Sequence, residues 1–188
     1  MDRFPPIPPE ALSDEQRALI ATITAGPRGA VKGPFVPLLH NPALAMRVQA
    51  LGEHLRYSTS FPATLLELAI LSVAAHWRCG YEWYAHAKLA RKAGLAPDII
   101  EALARHRVPP QMSIAEELVY RFCGETLKDG SPGDRTYAQA EASLGTPAVL
   151  DLLAICGYYS LLAFVLNTAR PAIPDDGGVV LDVGPTAP

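Results

Sequence analysis

The sequence predicts an all-α chain, a single-domain helical bundle of about seven or eight helices, and three observations carry that prediction. Apolar residues recur at three and four positions rather than two, and no stretch alternates as a half-buried strand does. Helix-start signals punctuate the chain: capping boxes at Ser13–Gln16 and Ser113–Glu116, and prolines at the first helical position in Asn41-Pro42, Phe61-Pro62, Ala96-Pro97 and Thr146-Pro147. No linker and no internal repeat divides the 188 residues, a length that suits one domain able to bury its own core.

Taken in order, residues 1–10 are a Pro-rich tail, and the first helix starts at the Ser13 box ahead of the apolar run ALIATI. Gly26 to Gly33 (GPRGAVKG) is a loop, with three glycines and a proline in eight residues. Asn41 caps the next helix. Two helices fit the window that follows, Pro62 to about Trp77 and Gly80 to about Lys92, with a break around Arg78–Gly80. Gly94 suits the C-terminal cap of the second. Further helices start at Pro97, Ser113 and Pro147, and the last is stopped by Pro171, Pro174, Asp175, Asp176, Gly177 and Gly178. The domain is thus the whole of 1–188, with a core of about 11–170 and Pro/Gly-rich tails at 1–10 and 171–188.

Composition excludes several classes. With 49% hydrophobic residues, 19% charged and a net charge of -3, the chain lacks the signature of disorder. Sixteen Lys and Arg against nineteen Asp and Glu give no basic footprint, so no nucleic-acid partner is expected. Cys79, Cys123 and Cys156 are too few and scattered for a disulfide framework, and none has the spacing of a thiolate metal site. The N-terminal segment MDRFPPIPPEALSDEQ carries acids and prolines where a signal peptide needs an apolar run. The most apolar stretch, Leu152–Leu166, falls short of the ~20 residues that span a bilayer. It reads as a core or subunit-interface helix of a cytoplasmic protein with no membrane partner.

Residues 61–94, FPATLLELAILSVAAHWRCGYEWYAHAKLARKAG, carry the chemistry. Cys79, Glu82, Trp83 and His86 fall at i, i+3, i+4 and i+7, one stripe of one helix face. A thiol at a helix start meets free backbone N–H groups and the positive dipole end, which favour thiolate. His86 can accept or give a proton, and Glu82 can orient it or act as a base itself. Glu67 sits among apolar residues (LLELAIL), where a carboxylate needs a partner. Each feature also has a structural reading. Cys79 fits an inert small hydrophobe, Glu82 and His86 an exposed i,i+4 pair, and Glu67 a side chain with its head in solvent. Trp77, Trp83 and Tyr84 fit core or interface aromatics. Spacing alone names no reaction.

The window resembles the carboxymuconolactone decarboxylase / alkylhydroperoxidase D-like family. The likeness rests on Glu67, eleven residues, Cys79-Gly80-Tyr81-Glu82, three residues and His86. It extends over about residues 25–175 through GPFVPLLHNPALAMRVQALGEHLR and LDLLAICGYYSLLAFVLNTARPAIP. The resemblance implies an alkylhydroperoxidase D-like bundle assembled as a homo-oligomer, a trimer or a hexamer, acting on a small molecule. It implies catalytic roles for Glu67, Cys79, Glu82 and His86.

Within that family the peroxidase branch uses a Cys-x-x-Cys pair, and here Glu82 stands where the second cysteine would be. The sulfenic acid formed on Cys79 then has no local thiol to resolve it, so Cys123, Cys156 or an external thiol would have to serve. The decarboxylase branch needs no metal and no organic cofactor. In that reading His86 and Glu82 do the proton work, Glu67 supports them, and Cys79 is a bystander. Tyr81 and Trp83 line the substrate, and Arg78 or His40 holds its anionic group. A non-catalytic helical oligomer is the third reading.

Overall fold

A helix that is apolar on every side has to be buried on every side, and one such segment fixes the centre of this molecule. In the computed structural model, which describes residues 3–175 and 177–184, the helix Ala63–His76 has every residue from Leu65 to Ala75 buried. Leu68, Ile70, Leu71 and Val73 are wholly shielded from solvent, each contributing on the order of 1.5–3 kcal/mol relative to exposure. Asp176 and residues 185–188 of the predicted C-terminal tail, and residues 1 and 2, lie outside the described residues.

The described residues form no strand and nine α-helices: α1 (Asp14–Ala25), α2 (Phe35–Leu38), α3 (Pro42–Tyr57), α4 (Ala63–His76), α5 (Gly80–Lys92), α6 (Pro97–Ala104), α7 (Ile114–Asp129), α8 (Asp134–Leu144) and α9 (Thr146–Ala169). The all-α bundle predicted from sequence is therefore present. Both capping boxes form in both directions, at Ser13 with Gln16 and at Ser113 with Glu116. Asn41 accepts from the Leu44 N–H at 3.1 Å. Two helices were not foreseen from any start signal in the sequence. The single turn α2 follows Pro34, and α8 follows Gly133, neither with a side-chain cap.

Around α4 pack α5, α7, α9 and α6, while α9 also touches α2, α3, α7, α8 and α5. The apolar run 152–166 read as too short to cross a bilayer lies in a longer helix than its composition suggests. Flanking small and polar residues extend α9 to 24 residues, long and apolar enough for a span by length and composition. Half of its most apolar window is buried inside the bundle, as in a core helix.

After α9 the chain doubles back across α5 and α6. Leu181 is buried, the Trp83 indole N–H donates to the Val179 carbonyl at 2.8 Å, and the Asp182 N–H donates to the Ala104 carbonyl at 2.9 Å. The C-terminal tail is strapped onto its own chain over these residues.

Candidate active site

The corner between α4 and α5 decides which side chains meet. Arg78 takes a left-handed conformation (φ 51), so the Cys79 N–H reaches the Ala74 carbonyl at 2.8 Å and the Arg78 N–H reaches that of Ala75 at 3.1 Å. This is a Schellman closure with arginine in the place glycine usually takes. Cys79 then serves as the N-cap of α5, and only Trp77, Arg78 and Cys79 separate the two helices. Asn167 of α9 donates to the Trp77 carbonyl (2.8 Å), and the Trp77 indole N–H donates to Ser160 Oγ (2.7 Å), pinning the corner to α9.

That geometry sets Glu67 of α4 against Glu82 and His86 of α5. His86 Nδ1 lies 2.8 Å from Glu67 Oε2, and His86 Nε2 lies 3.3 Å from Glu82 Oε2. All three side chains are buried. Exposed-pair readings of Glu82 and His86 are thereby set aside, and Glu67 has the partner its apolar setting demands. Burial holds the Glu82 carboxyl above its usual range, against the opposing pull of His86, Arg56 and Arg28. Each ring nitrogen of His86 thus faces one carboxylate oxygen. A carboxyl and an imidazole so placed pass a proton with little rearrangement. Both ring nitrogens are occupied by carboxylates, and among the described residues no cluster of three His, Cys, Asp or Glu suits a metal ion.

Cys79 corrects a sequence expectation. The backbone N–H groups of Glu82 and Tyr81 do pull its thiol pKa down, as a helix start should. Burial outweighs them, the nearby Glu82 charge adds to it, and the thiol is pushed up to about 12. The side chain has no solvent exposure and packs with Ala163 and Leu166 of α9, so a thiolate is disfavoured here. Cys123 and Cys156, the other possible resolving thiols, are also buried and face each other.

Three of the expected substrate-contacting residues sit apart from the triad. His40 has its Nε2 3.1 Å from the Pro5 carbonyl, in a hollow lined by Phe4, Asn41 and Phe164 that contains none of Glu67, Glu82 or His86. The exposed Arg78 donates to the Val183 carbonyl at 3.2 Å, because its left-handed backbone turns it toward the C-terminal strap. Trp83 is buried and spends its indole N–H on the same strap. Tyr81 is partly buried beside Gly33 and stacks edge-on with Tyr84 at 6.2 Å between ring centres.

Sequence reasoning missed a second polar layer behind the triad. Tyr159 of α9 meets the His86 ring edge-to-face, with centroids 5.3 Å apart at 87°, and Tyr158 meets Tyr159 likewise at 5.2 Å. Arg28 Nε donates to Gln49 Oε1 at 2.5 Å and its Nη2 to the Tyr158 hydroxyl at 3.4 Å, while its guanidinium lies 4.6 Å from the Phe35 ring centre. Gln49 in turn donates to Glu53 Oε2 at 2.7 Å. Gly52 permits this approach, since a Cβ there would overlap both the Tyr158 hydroxyl and the Arg28 guanidinium. Burial pushes the Tyr158 hydroxyl up to about 12 and that of Tyr159 well above the ordinary value, with Arg28 and Arg56 opposing the first and Arg56 the second. The one hint in the sequence is a Tyr-Tyr pair inside an otherwise apolar run.

Comparison with known proteins agrees with this architecture. A crystal structure titled as an alkylhydroperoxidase AhpD core, an uncharacterized peroxidase-related protein from Ralstonia eutropha JMP134, superposes with a TM-score of 0.76 over 93% of each chain at 20% identity. At that identity the likeness shows the fold. No curated protein matches the sequence. Residues 42–122, which hold Glu67, Cys79, Glu82 and His86, match the model of the carboxymuconolactone decarboxylase family. Residues 42–122 thus match the carboxymuconolactone decarboxylase family, and the chain as a whole has the alkylhydroperoxidase D-like fold.

Proposed function

We propose that this chain is a cofactor-free enzyme that performs proton-transfer chemistry on a small carboxylated lactone or a related acid, with decarboxylation as the reaction. The observation that carries the reading is the clamping of His86 between two buried carboxylates, 2.8 Å from Glu67 and 3.3 Å from Glu82. Such an array can hold a proton in a dry site and deliver it to carbon. As carbon dioxide leaves, the electron pair of the broken C–C bond passes into the unsaturated lactone. Glu82, through His86, then supplies the proton that carbon takes up, and solvent restores it. Glu67 fixes the imidazole and balances its charge. The family's name supports the substrate class, and the chain is read as a cytoplasmic homo-oligomer.

A second reading, a thiol peroxidase, has the peroxidase-related title of the structural neighbour in its favour. The buried thiol raised to about 12 weighs against it. The test is carbon dioxide release from γ-carboxymuconolactone by the full chain and by His86→Ala. Release by the parent that His86→Ala abolishes supports the reading, and equal rates in the two proteins would sink it.

A further inference from the structure

Tyr159 is the group the triad leaves unexplained. Its side chain is 98% shielded, its hydroxyl has no hydrogen-bond partner among the described residues, and its ring stands edge-on to His86 with centroids 5.3 Å apart. A buried hydroxyl without a partner is a standing cost to the fold, and native structures seldom keep one without a use. Tyr158 beside it engages Arg28, so of the two phenols one is hydrogen-bonded and the other has no partner among the described residues.

We propose that the Tyr159 hydroxyl is the oxyanion donor of this site, hydrogen-bonding the substrate oxygen that becomes negative during the reaction. The inference rests on the reading of His86 as a proton-transfer centre acting on a lactone. When the C–CO2 bond breaks, its electron pair moves through the conjugated ring to the carbonyl oxygen, which becomes an enolate. Carbon takes the proton from the Glu82–His86 pair, and the electron pair returns from oxygen to the new C–H bond. Tyr159 keeps its proton throughout and donates a hydrogen bond that strengthens as the oxygen gains charge. Two observations fit this role beyond that hydroxyl. Burial, against the opposing pull of Arg56, raises the Tyr159 phenol and keeps it protonated, and Arg56 opposes the upward shift of Glu82 as well. Arg28 likewise opposes the upward shift of Tyr158, the neighbouring phenol of α9.

The test uses tetronate, the stable anion of an enolic lactone, and neutral 2(5H)-furanone as its uncharged counterpart, with binding measured by calorimetry on the full chain and on Tyr159→Phe. The parent is expected to bind tetronate more tightly than the furanone. Tyr159→Phe should weaken tetronate about tenfold or more while leaving the furanone unchanged. Its melting temperature should hold or rise, because the oxygen removed has no partner among the described residues. Its kcat for carbon dioxide release should fall about a hundredfold with KM little altered. Equal tetronate affinity in the two proteins, or no preference for tetronate in the parent, overturns the oxyanion role. Tyr159-dependent tetronate binding without any lactone turnover leaves the oxyanion site standing and removes the decarboxylase reading. His86-dependent turnover that Tyr159→Phe leaves intact does the reverse.

Discussion

Glu82, a proposed proton-transfer group, carries a stability cost. Its carboxyl is buried, 3.3 Å from His86 Nε2, and held above the ordinary carboxylate range chiefly by desolvation. A carboxyl whose folded value exceeds its unfolded one binds its proton more tightly in the native state. Its contribution to stability is therefore complete below its ordinary value of 4.5 and is lost as pH rises through the higher folded value. Glu82→Gln, which keeps an acceptor for His86 and never ionises, should melt higher than the parent at pH 8. A gain of about 2–4 °C would correspond to ~1 kcal/mol in a chain of this size. Thermal melts at pH 8 and pH 4 check this, and a gain no smaller at pH 4 contradicts it. Cys79 shows the same competition with the same winner. Helix-start N–H groups lower its thiol pKa as local rules say, but a site closed by Ala163 and Leu166 outweighs them.

Among the elements, the α4–α5 pair made the triad legible in the sequence, because both halves lie in one window. Glu67 falls in a helix apolar all round, Glu82 and His86 are one turn apart, and the short break at Arg78 forces the two helices to fold together. The second layer was not legible for a physical reason. Arg28 comes from the α1–α2 connection, Gln49 and Arg56 from α3, and Tyr158 and Tyr159 from α9, so only tertiary packing brings them to His86. No spacing encodes that convergence. His40 and Arg78 were expected near the site on charge alone, and packing sends both elsewhere. Gly52 in α3 is the element-scale test. Alanine within a helix is normally better than glycine by about 0.5–1 kcal/mol. Here its Cβ would collide with Tyr158 and Arg28, so Gly52→Ala should be destabilising by about 1–3 kcal/mol. Denaturant melts decide the sign, and a stabilised variant would contradict the packing described.

At the scale of the whole molecule, start signals predicted the all-α bundle and most of its helices, and missed α2 and α8, which begin after Pro34 and Gly133 without side-chain caps. The C-terminal strap was not foreseen, because a Pro/Gly-rich segment gives no periodic signal while its contacts run through backbone carbonyls to Trp83 and His106. Large apolar side chains remain exposed on α3 (Leu44, Leu51) and α9 (Leu150, Leu161, Phe164), which supports the proposed self-assembly. Sedimentation should then show a species heavier than the 20.2 kDa chain, and a lone 20.2 kDa monomer contradicts that proposal.

The proposed reacting centre is His86 between its carboxylates, not the Cys79 thiol. It is tested most directly by comparing the parent, Cys79→Ser and His86→Ala on two substrates, γ-carboxymuconolactone and an organic hydroperoxide with excess dithiol. Lactone turnover that Cys79→Ser largely retains and His86→Ala loses is expected, with no thiol-dependent hydroperoxide reduction. Hydroperoxide turnover that disappears with Cys79→Ser, alongside no lactone turnover in the parent, would contradict it.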